Sequence, residues 1–99
     1  MPKKFAVFLK SDKLMKGHLG LHDALPKSDF PVVPPKGEIW VNEKLKKRQP
    51  NRPPPEKRIK GVVIHEKFEN YLMTEKGLRY KEAHERAKKF EKGYLSRFK

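Results

Sequence analysis

Cysteine is absent from the 99 residues, which excludes disulfide bonds and thiolate metal ligands and leaves the redox compartment unconstrained. Long apolar runs are absent too, and none approaches the roughly 18 residues of a membrane-spanning helix. No apolar signal-peptide segment follows Met1. From these absences we expect an intracellular protein that lacks a transmembrane segment and is not secreted by a signal peptide.

Side-chain amides are scarce and are limited to Asn42, Asn51, Asn70 and Gln49. Charged residues make up 37% of the chain, and 9 prolines crowd the segments between the predicted elements. Many charges, few thermolabile amides and proline-stiffened loops are typical of hyperthermophile proteins. The composition therefore predicts a thermostable protein.

The formal net charge is +13, from 25 lysines and arginines against 12 acidic residues. An excess of this size in a short chain favours a polyanionic partner, either nucleic acid or an anionic membrane surface. The alternative is that the charge serves solubility alone. A length of 99 residues with 35% hydrophobic content allows a single domain, residues 1–99, with a small core.

Two short strands are predicted within residues 1–42, which otherwise form a proline-rich irregular region. Residues 4–9 place apolar side chains on both faces, which predicts a strand that is covered on both sides. Residues 38–42 follow Gly37 and alternate, with Trp40 on the face opposite to its apolar neighbours. We expect these two strands to pair.

The segment between the strands, residues 21–36, is irregular by pattern. Its prolines forbid a regular helix and remove backbone donors (Pro26, Pro31, Pro34 and Pro35). His18 and His22 have the i, i+4 spacing of one helix face, but Gly20 lies between them and weakens a helix. We therefore interpret both as surface histidines.

Residues 43–58 form a basic, proline-rich stretch that is predicted to be an exposed loop. Residues 43–60 carry eight basic and two acidic side chains, a net +6. Lysines and arginines in such a loop bind phosphates without reading base sequence. The predicted nucleic-acid-binding residues are Lys44, Lys46, Lys47, Arg48, Arg52, Lys57 and Arg58. Trp40 and Phe30 could stack on bases, although core packing is the preferred interpretation of Trp40.

Residues 59–98 are predicted to form two helices, over 59–76 and 78–98, joined at Gly77. The short link makes them an antiparallel helical hairpin. The chain is therefore predicted to be α+β, with a short two-stranded β element packed on this hairpin. Another chain could extend the β element, so an oligomer is an open alternative.

Each predicted helix carries one histidine and one carboxylate in its apolar stripe. At about 100° per residue, His65 and Glu69 fall in the stripe of the first helix. His84 and Glu91 fall in the stripe of the second. The apolar members are Val62, Phe68 and Leu72 in the first helix and Tyr80, Ala83, Ala87, Phe90, Tyr94 and Phe98 in the second. Burying the polar groups without partners is costly, so they must contact each other or a metal ion.

The spacing of these residues predicts a metal site. His65 and Glu69 can share an ion, and His84 can complete a set of two histidines and one carboxylate, which suits Zn²⁺. Glu66 directly follows His65, as in the H-E-x-x-H helix, where the glutamate is the general base. Two residues are predicted to support the ligand histidines, Glu91 and Tyr80. The alternative is a hydrogen-bonded polar cluster without a metal, in which Glu66 is an ordinary solvated glutamate.

Residues 37–92 resemble small uncharacterised proteins of phages and archaeal viruses. In these proteins a short strand precedes an H-E-x-x-E helix, and a Tyr-x-x-Ala-His-x-x-Ala helix follows. The matching positions are His65, Glu66, Glu69, Gly77, Tyr80, Ala83, His84, Ala87 and Glu91. The basic stretch 43–58 and the first 36 residues have no counterpart in that pattern.

The resemblance implies a zincin-like metal site. An enzyme with such a site would be a metal-dependent hydrolase of the peptidase type. Together with the composition, it predicts a viral accessory protein from a virus that infects a hyperthermophile, located in the host cytoplasm. The alternative is a small basic nucleic-acid-binding or interaction protein without catalysis.

Overall fold

A computed structural model describes residues 4–96 of the chain as a small sheet packed against two long helices. The predicted end of the second helix, including Phe98, lies outside the described residues. The elements in chain order are β1 (Ala6–Lys10), α1 (Asp12–Met15), β2 (Gly20–His22), β3 (Glu38–Asn42), a 3₁₀ turn (Glu43–Lys46), α2 (Pro55–Thr74) and α3 (Tyr80–Ser96). The predicted α+β class is confirmed.

The sheet has three strands in the order β1-β3-β2. The two predicted strands pair as expected, in parallel, with Val7 opposite Ile39. The third strand, β2, runs antiparallel to β3 with Leu21 opposite Trp40, and the sequence did not predict it. A strand of only three residues that contains a glycine carries almost no periodic signal.

The prediction that the first strand is covered on both sides is wrong. Val7, Phe8 and Leu9 are each 42% exposed. The reason is topological, because β1 lies at the edge of the sheet while α2 packs against β2 and β3.

Two small apolar clusters flank the sheet and fix the position of β3. Ile39 and Val41 are fully buried and pack with Val62 of α2. Trp40 points to the other face and is partly buried against a cluster that contains Met15 and Leu21, which supports core packing over an exposed ring. Phe30 is in the same cluster and is buried, which excludes the predicted stacking of this ring on a base.

The basic stretch 43–58 is not the single exposed loop that was predicted. Asn42 caps a 3₁₀ turn by accepting a hydrogen bond from the Lys44 backbone N–H at 2.9 Å, and Leu45 anchors the turn in the core. Helix α2 begins at Pro55, four residues before the predicted start at 59. Proline is tolerated in the first turn of a helix, where its missing N–H would be unpaired in any case.

Helices α2 and α3 form the predicted antiparallel hairpin. Gly77 adopts a positive φ of 69° in the link, and the Leu78 N–H donates to the Leu72 carbonyl oxygen at 3.0 Å. Gly61 lies against Leu95, which places the start of α2 beside the end of α3. Within residues 4–96, no helix has the length and apolar character required to cross a bilayer.

Candidate metal centre

The centre lies where α2 passes between the sheet and α3. His65 and Glu69 are buried on the side of α2 that faces α3, four residues apart as one helix face requires. His84 projects from α3 toward both of them. The three predicted ligand residues therefore lie together.

Three atoms that could bind a metal ion form a small triangle at this point. Glu69 Oε2 lies 3.0 Å from His65 Nε2 and 2.8 Å from His84 Nδ1, and the two nitrogens are 3.2 Å apart. In a tetrahedral zinc site with bonds of about 2.0–2.1 Å, neighbouring ligand atoms are roughly 3.3 Å apart. The residues present therefore fit a zinc ion with only small adjustments.

The hydrogen bonds of His65 place either a proton or a metal ion between its ring and Glu69. Its Nδ1 donates to Glu91 Oε1 at 2.9 Å, so in a neutral ring Nε2 carries a lone pair. That lone pair would face the Glu69 carboxylate oxygen, an arrangement that needs a proton or a metal ion between the two atoms. Burial alone would lower the pKa of His65, but the hydrogen bonds to Glu69 and Glu91 outweigh it and raise this pKa to about 10.

Glu69 is the anionic member of the set. Burial favours its neutral form, but hydrogen bonds with His22, His65 and His84 outweigh burial and lower the pKa of Glu69 to about 2. Within residues 4–96, each buried side-chain nitrogen or oxygen has a hydrogen-bond partner. A metal ion would therefore replace a proton in this cluster and would not fill an unsatisfied gap.

Glu66, the predicted general base, is buried beside the triangle, which excludes the alternative of an ordinary solvated glutamate. Its Oε2 lies 3.7 Å from His65 Nε2, and only 5% of the residue is exposed. Burial, together with the charge of Glu69, raises the pKa of Glu66 to about 8. A carboxyl group with a pKa near neutrality is suited to accept and return a proton.

The backbone of β2 packs closely against Val62 and Glu66 of α2. A Cβ added at Gly20 would lie 2.5 Å from Val62 Cγ1 and 2.9 Å from Glu66 Cγ. Only glycine permits this close approach of strand and helix.

The two residues that were predicted to support the ligand histidines contact them. Glu91 accepts the hydrogen bond from His65 Nδ1. The Tyr80 ring stacks on the His84 ring, with centroids 5.3 Å apart, and meets Phe30 edge-on. Burial, reinforced by the charges of Glu69 and Glu66, raises the pKa of Tyr80 to about 12, so its hydroxyl stays protonated at neutral pH.

His22 belongs to the centre, which corrects its interpretation as a surface histidine. It is completely buried, and its Nε2 lies 2.9 Å from Glu69 Oε1. The two residues are 47 positions apart in the chain, so no local pattern connects them. His18 is half-buried and its ring lies against Phe30 at 5.1 Å, outside the group of ligand atoms.

A cavity of about 370 Å³ opens onto the triangle and is lined by Glu66, His84 and the irregular segment around Leu25. A larger groove of about 850 Å³ adjoins it, because Lys88 and Glu91 line both. This groove runs between residues 51–54 and α3, and its basic residues are Arg52, Lys88, Lys89 and Lys92.

The predicted nucleic-acid-binding residues lie on the 3₁₀ turn, in the segment that follows it and in the first turn of α2. Arg48 and Arg52 line an adjoining cavity of about 470 Å³. Lys44 pairs with Asp12 at 3.4 Å, and Arg58 donates to the Lys47 carbonyl oxygen at 3.4 Å. Lys46 and Lys47 are exposed on and just after the 3₁₀ turn, and Lys57 lies in the first turn of α2. Arg48 and Arg52 are thus the members of this set that reach the groove system.

Comparisons with protein-family models, with curated proteins and with solved structures find no match to the chain. The resemblance to viral proteins therefore stays a prediction, and functional inference depends on the site itself.

Proposed function

We propose that the chain binds one zinc ion through His65, Glu69 and His84 and that Glu66 serves as a general base for hydrolysis at this ion. The observation that carries the proposal is the triangle of ligand atoms, no two of which are more than 3.2 Å apart. Two imidazoles and one carboxylate favour zinc over calcium or magnesium.

The chain's own residues supply the rest of the chemistry. Glu91 holds the His65 ring with Nε2 directed at the triangle, and the Tyr80 ring packs on His84. Glu66 accepts a proton from the attacking water and returns it to the leaving group. A bound zinc ion supplies Lewis acidity, which polarises a carbonyl or phosphoryl group. Three protein ligands beside an open cavity are the pattern of catalytic zinc sites, whereas structural sites are closed by four ligands.

Metal analysis of protein purified without a histidine tag tests the first half of the proposal. We expect one zinc ion per chain in the wild type and loss of binding in His84→Ala. His18→Ala is the matched control, because His18 is also half-buried beside the cavity but offers no atom to the triangle. Equal zinc uptake by His84→Ala and wild type would refute the site.

Glu66→Gln tests the second half of the proposal, in which Glu66 is the general base for hydrolysis. The amide keeps the size of the side chain but cannot act as a base, so zinc binding should persist while hydrolysis falls by about 10²–10⁴-fold. The assay is release of labelled peptides from fluorescent casein by the zinc-loaded protein. If the wild type binds zinc but does not cleave casein, the proposed metal site is supported and the proposed peptidase activity is refuted.

Nucleic-acid binding is a second candidate function, and the groove beside the centre favours it. Four basic residues of this groove, Arg52, Lys88, Lys89 and Lys92, outnumber its two acidic residues, Glu85 and Glu91, and Arg48 lines the cavity next to it. Phosphate contacts of this kind give binding that is insensitive to sequence and weakens steeply with salt.

Fluorescence anisotropy with labelled duplex and single-stranded DNA at several salt concentrations tests this candidate. Replacing Arg52, Lys88 and Lys89 by glutamine should lower both the affinity and the salt slope. Replacing Lys44, Lys46 and Lys47 by glutamine is the control of equal charge, since these residues do not line the groove. If the wild type binds neither probe at low salt, the candidate fails.

The biological setting is proposed on sequence grounds alone. We propose an accessory protein of a virus that infects a hyperthermophile, acting in the host cytoplasm. The support is the charged, amide-poor composition and the resemblance of residues 37–92.

A further inference from the structure

A second group of possible ligands lies directly beside the triangle. His22, Glu66 and Glu69 each offer an atom within 4.8 Å of the others, and Glu69 belongs to both groups. The centre thus has the residues for either one ion or two. The hydrogen bonds of His22 decide between these outcomes.

We infer that His22 is a positioning residue, not a ligand, and that its Nε2–H fixes the Glu69 carboxylate so that the centre holds a single ion. The inference rests on the proposed zinc site and adds the role of a residue that the sequence motif does not contain.

Nδ1 of His22 is a hydrogen-bond acceptor. The backbone N–H of Ala24 lies 3.1 Å from this nitrogen. A backbone N–H can only donate, so Nδ1 must accept and cannot carry a proton.

Asn70 independently indicates that Nδ1 of His22 is an acceptor. Its Nδ2 lies 3.1 Å from His22 Nδ1 and 2.7 Å from Asp23 Oδ1. A carboxylate oxygen accepts, which identifies the Asn70 atom as the amide nitrogen and therefore as a donor to both partners. Two N–H groups thus point at Nδ1 of the buried ring.

The proton of a neutral His22 must then be on Nε2, from which it donates to Glu69 Oε1 at 2.9 Å. A metal ion bound at Nε2 would leave the ring with no proton at all, as an imidazolate anion. Moving the proton to Nδ1 would instead set it against the N–H groups of Ala24 and Asn70. Both arrangements are unfavourable, so His22 is a donor to Glu69.

As a result, the two carboxylate oxygens of Glu69 have different partners. Oε1 is held by His22 from the β2 side, and Oε2 faces His65 and His84. Glu69 therefore presents one oxygen to the ion. Without His22 as a ligand, the second group lacks a nitrogen donor, and Glu66 is left free for proton transfer.

Nuclear magnetic resonance of ¹⁵N-labelled protein tests the tautomer directly. Long-range ¹H–¹⁵N spectra should show His22 protonated at Nε2 and bare at Nδ1, both before and after addition of one equivalent of zinc. A proton on Nδ1, or a coordination shift of Nε2 on zinc addition, would overturn the inference.

Zinc titration by calorimetry gives the ion count and the energetic effect. We expect one zinc per chain, and a 10–100-fold weaker affinity in His22→Leu, which removes the hydrogen bond to Glu69. His22→Gln, whose amide can donate to the same oxygen, should recover most of that loss. His18→Leu is the control for removing a histidine near the cavity. Two zinc ions per chain, or His22→Gln as weak as His22→Leu, would contradict the assignment.

The two proposals fail separately. If the wild type takes up no zinc, the proposed function is refuted, while the tautomer of His22 in the metal-free protein still tests its assignment as the donor. If zinc binds but His22 is protonated at Nδ1, the zinc site stands and the inference is refuted. If His22→Leu does not fold, the wild-type spectra and stoichiometry remain decisive.

Discussion

Glu69 receives hydrogen bonds from three histidines at once, and two of these come from outside its own helix. A buried carboxylate is stable only when its oxygens are paired, and here β2, α2 and α3 each contribute a partner. This single side chain therefore links the sheet to the helical hairpin.

The metal-free protein should lose stability as pH rises from about 4.5 to about 10. Glu66 has a folded pKa of about 8 against an ordinary 4.5, and His65 has about 10 against 6.5. A pKa that folding raises gives stability that is complete below the unfolded value and is lost as pH rises through the folded value. Urea unfolding across this range measures the trend.

Glu66→Gln is the control for the pH trend, because it removes the titration of Glu66 and should flatten the curve between about pH 4.5 and 6.5, below the range in which His65 titrates. A wild-type stability that increases over that interval would contradict the assignment. Added zinc should give the opposite trend, because the ion competes with protons for His65 and binds more tightly as pH rises.

Gly20→Ala should destabilise the protein by about 1–3 kcal/mol, since the new Cβ would overlap Val62 and Glu66. Gly93→Ala is the matched control, because a Cβ at that helical position meets no atom within 4 Å. Alanine in a helix is favoured over glycine by roughly 1 kcal/mol, so this variant should be slightly stabilised. Urea unfolding at one pH distinguishes them, and an unchanged stability of Gly20→Ala would show that β2 does not approach α2 so closely.

At the scale of elements, the helical hairpin and the β1–β3 pair could be predicted because their signals are local. His65, Glu69 and His84 lie on two periodic helices, so the wheel pattern alone brings them near one another. Strand β2 has no such period, and its identity depends on pairing with β3. His22 was misassigned for the same reason, since its partner Glu69 belongs to another element.

The structure of the basic stretch 43–58 could be predicted only in part from its local sequence. Its prolines and charges predict an exposed loop, but they do not show that Leu45 reaches the core or that Pro55 can start a helix. Burial of one leucine outweighs the polar context of its neighbours, because a fully buried side chain contributes about 1.5–3 kcal/mol.

Leu45→Ala should therefore cost about 2–5 kcal/mol and release the 3₁₀ turn from the sheet. Trypsin should cut the variant faster after Lys44 and Lys46, as a released turn is more accessible. Leu14→Ala is the control, because Leu14 is 41% exposed and its truncation leaves little cavity. Equal destabilisation by the two changes would mean that Leu45 does not anchor the stretch.

For the whole molecule, the composition predicts a melting temperature above the mesophile range of about 45–65 °C. The chain carries 37% charged residues and 9 prolines, a composition typical of hyperthermophile proteins, in which proline-stiffened loops oppose unfolding. Scanning calorimetry of the metal-free protein is the measurement. A midpoint inside the mesophile range would remove the hyperthermophile interpretation, whatever zinc adds by binding to the folded state.

The division of the centre between near and distant parts of the chain has a kinetic consequence. The three proposed ligand residues span only positions 65–84, whereas the contact from His22 to Glu69 closes a loop of 47 residues. Contacts between near neighbours form faster than contacts that close long loops. We therefore expect zinc to accelerate refolding in stopped-flow experiments, because the ion can bind the hairpin before the sheet docks. His22→Gln should refold at the same zinc-dependent rate, since its contact forms after the ion is captured.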